Sequence, residues 1–297
     1  MMSKKEKEIL EELKKNLQRN LPKAEFWQVG ETETDQCVYY LKTLKDNLKK
    51  DLNTPEKIGF SKKDTNRNRW GVIPMAALRS SAALIYNILG DGTHCEINVD
   101  DLKCLKEHTL ISGGYQLQYE WKYKTINRAK ANIDAYLNID NCHLFIEMKM
   151  LEPLTKTHPF DSYSSYIGSN CPKVFKDTFK HYESNKPEYF DACQMIKHLL
   201  AIYNYFNQNR PKETQNVVLL NCHWEPLNCR VEGHPLKETY TTFDNFAKEF
   251  EIMRDCFQEK LFAKLNVNLV LAHCTHCDLK KMAGKDNDKY LERYEIR

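Results

Sequence analysis

Several features are absent from this 297-residue sequence, and each absence excludes a class of protein. No run of about 18 apolar residues occurs, so we expect no membrane-spanning helix. The charged N-terminal residues are not followed by an apolar signal core, which favours a cytoplasmic protein. The net charge is only +3, so the overall electrostatic field of the molecule is weak evidence for nucleic-acid binding. No helix-turn-helix, zinc-finger or RNA-binding signature marks a separate reader domain.

Cysteine is well represented, but its pattern argues against a disulfide framework. The eleven cysteines are an odd number without a secretory signal, so we expect reduced thiols. The densest group is the CxxC formed by Cys274 and Cys277. A structural zinc site needs a second pair of ligands, and the nearest candidates have no familiar spacing: Cys222, His223, Cys229 and His234. A zinc-stabilised module centred on Cys274 and Cys277 stays open as an alternative.

Residues 131–139 and 142–150 alternate between apolar and polar side chains and predict two strands of a hairpin. A two-residue turn at Asp140-Asn141 suits positive φ angles and fixes which residues face each other. In this register every pair on one face is apolar: Ile133 with Met148, Ala135 with Ile146, Leu137 with Leu144, and Ile139 with Cys142. A shift by one residue would mix the two faces, so the pattern favours this register.

The other face of the hairpin carries Asp134, Glu147 and Lys149. In the predicted register Asp134 lies opposite Glu147, with Cβ atoms about 5 Å apart. Two adjacent carboxylates are hard oxygen ligands for Mg²⁺, which can polarise a phosphoryl oxygen and acidify a bound water. Lys149 can orient that water and stabilise charge developing on the phosphate. The pattern therefore indicates metal-dependent phosphodiester hydrolysis; the structural alternative is an outer sheet face on which Glu147 and Lys149 neutralise each other.

The rest of the chain predicts an α/β fold, a mixed sheet flanked by helices, with N-terminal and C-terminal helical additions. The predicted elements are helices at about 3–19 and 31–50, a helix at 75–89 after Pro74, strands at 115–124, 131–139 and 142–150, a lid-like polar segment at 153–186, a helix at 191–206, a strand at 216–221, a helix at 241–265 and a strand at 267–272. The aromatic residues of 115–123 are expected to share one buried face. We divide the chain into an N-terminal helical extension, residues 1–70, and an α/β domain, residues 71–297.

This order, with Asp134 on the second strand and Glu147-Met148-Lys149 on the third, resembles the PD-(D/E)xK nuclease superfamily and its restriction-endonuclease-like proteins. The resemblance implies the restriction-endonuclease-like αβββαβ core over about residues 75–221. It also implies a Mg²⁺-dependent endonuclease acting on DNA, with Mn²⁺ as an alternative ion. By the same resemblance, Asp134 and Glu147 hold the metal, and the carbonyl of Met148 or Lys149 completes its coordination.

The sequence also departs from the superfamily pattern. Many relatives supply an additional acid from the first core helix, but residues 75–89 contain none. Glu120 on the first strand is the candidate substitute, with a solvated strand residue as its plain alternative. Gln194 matches a glutamine that some relatives use near the metal-bound water; otherwise it is a polar residue at a helix N-terminus. The predicted catalytic set is therefore Asp134, Glu147, Lys149, Gln194 and Glu120. Lys197 and His198, within one turn of Gln194, are further candidates. Glu152, beside Pro153, is left out of the predicted catalytic set.

DNA is the predicted partner, and cleavage of both strands by one site per chain would favour a homodimer. Basic residues before the Asp134 strand could meet phosphates or form a solvated strand edge: Lys122, Lys124, Arg128 and Lys130. The lid-like segment interleaves aromatics with bases, which suits either stacking on bases or a packed surface loop: Tyr163, Tyr166, Lys173 and Lys176. The alternative function is a catalytically inactive nuclease-fold protein that binds nucleic acid or a protein partner.

Overall fold

A computed structural model describes residues 4–29, 38–48, 59–67, 73–91, 96–97, 113–125, 129–139, 142–154, 171–227, 229, 232, 236–257, 260–285 and 287–296. The helices are α1 (Lys4–Asn20), α2 (Lys62–Thr65), α3 (Ser81–Leu89), α4 (Lys173–Ser184), α5 (Ala192–Asn209), α6 (Lys237–Phe257), α7 (Lys260–Ala263) and α8 (His276–Met282). The strands are β1 (Phe26–Val29), β2 (Val38–Leu41), β3 (Glu96–Ile97), β4 (Gly113–Gly114), β5 (Gln116–Lys124), β6 (Lys130–Ile139), β7 (Cys142–Lys149), β8 (Gln215–His223) and β9 (Val267–Thr275). In these parts of the chain, no helix combines the length and apolarity needed to cross a membrane.

A five-stranded mixed sheet in the order β5-β6-β7-β8-β9 forms the centre of the fold. Strands β5, β6 and β7 are antiparallel neighbours, and β7, β8 and β9 are parallel neighbours. The parallel step from β7 to β8 contains α4 and α5, as expected because parallel neighbours need a crossover connection. The succession α3, β5, β6, β7, α5, β8 is the predicted αβββαβ order, so the α/β fold class is confirmed.

The predicted hairpin register is confirmed along most of its length. Pairing between β6 and β7 runs from Ile139 opposite Cys142 to Ala135 opposite Ile146, as the alternation of side chains requires. The predicted turn at Asp140-Asn141 lies outside the described residues.

Strands β5 and β6 change faces in the middle, which corrects the predicted arrangement. Tyr119 and Ala135 pack into the core beside α1 and α3, whereas Trp121 and Ile133 pack into the core beside α4, α5 and α6. Between them, Glu120 has φ 48°, a left-handed conformation unusual for a residue with a side chain. The aromatic residues of β5 therefore do not share one face, and Ile133 does not share the face of Ala135.

Both faces of the sheet are covered by helices. Apolar residues of α1, α3 and α8 form one core with Leu144, Ile146 and Met148 of β7. On the other face, α4, α5 and α6 cover Phe145. The face of β7 that carries Glu147 is therefore buried and is not the solvated outer face that the structural alternative assumed.

Three predicted segments differ from the structure in the elements that they contain. The segment predicted as a helix at about 31–50 contains β2, which pairs with β1, because its residues Val38-Tyr39-Tyr40 favour a strand. The first core helix starts at Ser81, since Ser80 caps it and Pro74–Ala76 forms a separate turn of 3-10 helix. The lid-like segment contains α4, and its Tyr163 and Tyr166 lie outside the described residues. The division of the chain at residue 70 stays a prediction.

Candidate active site

A polar cavity of about 330 Å³ opens where β6, β7 and the start of α5 meet. The described residues that line it are all polar: Ser81, Asn132, Asp134, Glu147, Lys149, Asp191, Gln194, Lys197 and His198. Four of the five predicted catalytic residues are among them. A lining of this kind suits a charged, hydrated group better than an apolar small molecule.

Asp134 lies on β6 at the point where the strand changes faces. Its Oδ2 accepts the backbone N–H of Met148 at 2.8 Å, so the carboxylate reaches across to β7 just beyond the last backbone pair. Burial raises the pKa of Asp134 well above its ordinary value, and the charge of Glu147 raises it further.

Glu147 and Lys149 form a buried ion pair on β7. The Lys149 Nζ atom is 2.9 Å from Glu147 Oε1, and the two side chains are 17% and 3% exposed. Burial opposes the charge of Glu147, but Lys149 and His198 outweigh it and hold the pKa of Glu147 at about 2. Burial likewise opposes the charge of Lys149, but Glu147, Glu152 and Asp134 outweigh it and raise the pKa of Lys149. Both groups are therefore charged at neutral pH.

Gln194 joins this pair from the neighbouring helix. Asp191 caps α5 by accepting the N–H of Gln194 at 2.9 Å, which places Gln194 in the first turn. The Gln194 Oε1 atom accepts a hydrogen bond from Lys149 Nζ at 2.6 Å, and its Nε2 donates to Glu147 Oε1 at 2.8 Å. Gln194 thus contacts both residues of the ExK motif.

His198 follows Gln194 by four residues, so both side chains leave the same face of α5. The His198 Nε2 atom is 3.1 Å from Glu147 Oε2. This contact lacks hydrogen-bond geometry: Glu147 Oε2 and both ring nitrogens of His198 are buried without a hydrogen-bond partner. The sequence suggested His198 only through its closeness to Gln194; the structure places it directly against Glu147.

Glu120 lies on the far side of Asp134. Tyr119 pairs with Ala135 and Trp121 with Ile133, which puts Glu120 level with Asp134 between them. Its side chain is 8% exposed and lies 2.9 Å from Lys122, so Glu120 is not a solvated strand residue. It lines an adjoining cavity of about 370 Å³, which shares three residues with the first: Ser81, Asn132 and Asp134.

Glu152 was left out of the predicted set, yet it belongs to the electrostatic surroundings of the site. It begins the 3-10 helix Glu152–Leu154, and its Oε2 accepts the N–H of Met150 at 2.7 Å. Its charge helps to raise the pKa of Lys149. The sequence could have indicated Glu152 as an acidic residue shortly after the ExK strand. The adjacent Pro153 fits the first turn of the 3-10 helix.

The donors in the cavity fit a hard divalent ion. Asp134 and Glu147 offer carboxylate oxygens, and the buried, unpartnered Oε2 of Glu147 is an acceptor without a donor. The Met148 carbonyl points to the same side as its N–H, toward Asp134, whereas the Lys149 carbonyl accepts the N–H of Trp224 at 2.7 Å. Within the described ranges, no three His, Cys, Asp or Glu side chains form a preassembled metal site. Mg²⁺ does not need one, because it keeps several waters and uses one or two carboxylates.

The CxxC is divided between two elements. Cys274 lies on β9, where a hydrogen bond with Cys222 and burial raise the pKa of its thiol well above the ordinary value. Cys277 lies on α8, and burial raises the pKa of its thiol to about 12. No set of three potential ligands converges around them in the described part of the chain, so the zinc-stabilised alternative gains no support.

Comparison with known proteins finds a family whose model covers most of the chain. A model of the family described as Restriction Endonuclease associating with ARP matches residues 18–291, which include every residue of the cavity. No curated protein and no solved structure matches the chain.

Proposed function

The chain belongs to the restriction-endonuclease-like family described as Restriction Endonuclease associating with ARP, and on that premise we propose that it is a metal-dependent endonuclease that hydrolyses phosphodiester bonds of DNA. The observation that carries the proposal is the network in which Glu147, Lys149 and Gln194 contact one another beside Asp134. A buried network of this kind is typical of a site whose groups are held for chemistry.

Each residue of the network has a role that follows from its surroundings. Asp134, Glu147 and the carbonyl of Met148 would hold Mg²⁺ or Mn²⁺, which would polarise the phosphate and supply an acidic bound water. Lys149 keeps its proton at neutral pH because the surrounding carboxylates raise its pKa. It therefore stabilises negative charge on the phosphate and orients water, and it does not remove a proton.

Gln194 and Glu120 complete the proposed site. Gln194 fixes the positions of the Lys149 ammonium and Glu147 Oε1 through its two hydrogen bonds. Glu120 takes the place of the acid that the first core helix lacks, since it lies level with Asp134 on the neighbouring strand. Its carboxylate faces the adjoining cavity and would act on the same substrate from the β5 side.

A plasmid-nicking assay tests the proposal. Wild-type protein should convert supercoiled plasmid to the nicked form with Mg²⁺ or Mn²⁺, and chelation of the metal should stop the reaction. Asp134→Asn should be inactive, whereas Lys180→Ala on the exposed surface of α4 should behave as wild type. If wild type does not nick DNA but still binds it, the alternative function of a catalytically inactive binding protein replaces the proposal.

The predicted location and assembly belong to the same proposal. We expect the protein to act in the cytoplasm and to form a homodimer when it cuts both strands of a duplex. Sedimentation of the protein with and without a duplex oligonucleotide measures the assembly. A monomer on the duplex would limit the proposed activity to nicking.

A further inference from the structure

We propose that His198 is a direct ligand of the bound ion and that the site therefore takes a transition ion such as Mn²⁺ in preference to Mg²⁺. This inference rests on the proposed function, because it concerns the same metal site. It assigns to α5 a metal ligand in addition to the carboxylates of the sheet.

Three buried polar atoms at the site have no hydrogen-bond partner. The side chains of His198 and Glu147 are 2% and 3% exposed, and both line the cavity. Glu147 Oε2 and both ring nitrogens of His198 nevertheless have no hydrogen-bond partner. Buried polar atoms are normally paired, so an arrangement that leaves these atoms together without a bond calls for a third group between or beside them.

The distance between the two side chains fits a shared ion. Two ligands that bind one ion at about 2.1 Å in neighbouring positions of an octahedron lie about 3.0 Å apart. His198 Nε2 and Glu147 Oε2 are 3.1 Å apart. An ion that binds both atoms would satisfy the carboxylate oxygen and one ring nitrogen at once.

The other oxygen of Glu147 is already occupied. Lys149 and Gln194 both contact Oε1, so the free side of the carboxylate is the one that faces His198. Glu147 would therefore bind the ion through Oε2 alone. The network around Oε1 then acts to hold Glu147 in the orientation that presents Oε2 beside the imidazole.

A nitrogen ligand changes which ion the site prefers. Mg²⁺ takes oxygen ligands and gives up its waters reluctantly, whereas imidazole is a usual ligand of first-row transition ions. A site with carboxylates, one carbonyl and one imidazole therefore favours an ion such as Mn²⁺. Without His198 the remaining oxygen ligands would suit Mg²⁺ at least as well.

The decisive experiment uses the full-length wild-type protein loaded with Mn²⁺ and pulsed electron paramagnetic resonance. We expect a nitrogen coupling to Mn²⁺ that changes when the histidines carry ¹⁵N. If Mn²⁺ binds wild type but not Asp134→Asn, and no nitrogen coupling appears, the role of His198 is overturned while the metal site of the proposed function stands. If Mn²⁺ binds both proteins equally, the proposed metal site itself is wrong.

Calorimetry on His198→Gln tests the ion preference. We expect the affinity for Mn²⁺ to fall at least about tenfold and the affinity for Mg²⁺ to change by less than about threefold. His181→Gln, on the exposed surface of α4, should leave both affinities unchanged. An equal loss of affinity for the two ions would overturn the proposed preference for Mn²⁺. If His198→Gln fails to fold, the resonance spectrum of wild type still decides whether His198 is a ligand.

Discussion

At the residue scale, the site holds two neighbouring carboxyl groups, and their surroundings shift the two pKa values in opposite directions. Burial and the charge of Glu147 raise the pKa of Asp134, whereas Lys149 and His198 hold the pKa of Glu147 at about 2. Asp134 is therefore the group that readily accepts a proton when no cation is bound. A divalent ion would take the place of that proton. Because the buried Asp134 carboxylate is unstable without a cation, its ionised form favours metal binding.

Asp134→Asn should make the metal-free protein more stable. A carboxyl whose pKa is raised by folding binds more protons when folded, so the free energy of unfolding falls as pH rises from about 3.9 toward the raised value. Asparagine does not ionise, and its Oδ1 can still accept the N–H of Met148. We expect the free energy of unfolding at pH 7 to rise by about 1–2 kcal/mol, measured by urea denaturation between pH 4 and pH 8. A variant less stable than wild type at pH 7 would contradict the raised pKa of Asp134.

Lys149→Ala should separate catalysis from metal binding. Under the proposed function the variant removes the cation that would contact the substrate phosphate, so the nicking rate should fall roughly 100-fold or more. The pKa of Glu147 should rise from about 2 because its closest cation is lost, yet Asp134 and Glu147 remain to hold the ion. Calorimetry should therefore show Mg²⁺ binding that equals or exceeds that of wild type. A variant that keeps the wild-type rate would show that Lys149 has no part in the reaction.

At the element scale, the change of faces in β5 and β6 determines where the site lies. Glu120 takes a left-handed conformation in the middle of β5, and the side chains beyond it point into the other core. Asp134, level with it on β6, turns its carboxylate toward β7 at the same point. A backbone strained at a functional position is a recurrent feature of binding sites.

Two variants of Glu120 test this conformation. Glu120→Ala and Glu120→Gly both remove the carboxylate and its ion pair with Lys122, but only glycine adopts positive φ without steric cost. We expect Glu120→Gly to be more stable than Glu120→Ala by about 1 kcal/mol, measured by urea denaturation of the two purified variants. In an ordinary extended strand glycine would be the less stable of the two, so the reverse order would contradict the left-handed conformation.

The same elements show what the sequence could predict. The register of β6 and β7 followed from alternation, because a shift by one residue would move every side chain of one strand to the opposite face and mix polar with apolar residues. The change of faces did not, since a non-glycine residue with positive φ leaves no signal in the pattern. The contact of His198 with Glu147 was also out of reach, because it depends on how α5 docks on the sheet after a connection of more than 40 residues.

At the scale of the whole molecule, the two cavities adjoin each other at Asp134. They share Ser81, Asn132 and Asp134; Lys63 lines one cavity and Lys197 lines the other. Although the net charge is only +3, each cavity therefore combines lysine side chains with carboxylates. Such an arrangement suits a phosphate backbone that passes over a bound metal.

Lys63→Ala and Lys197→Ala should each weaken DNA binding in a way that does not depend on sequence. Each variant removes one cation from the lining of one cavity, so the slope of log affinity against log salt should decrease in magnitude by roughly one. Fluorescence anisotropy over a salt series, in an Asp134→Asn background that prevents cleavage, measures this slope for two unrelated duplexes. Lys180→Ala on α4 should keep the parent slope, because its side chain lies outside both cavities. If Lys63→Ala and Lys197→Ala also keep the parent slope, the DNA backbone does not lie along the two cavities and must reach Asp134 by another path.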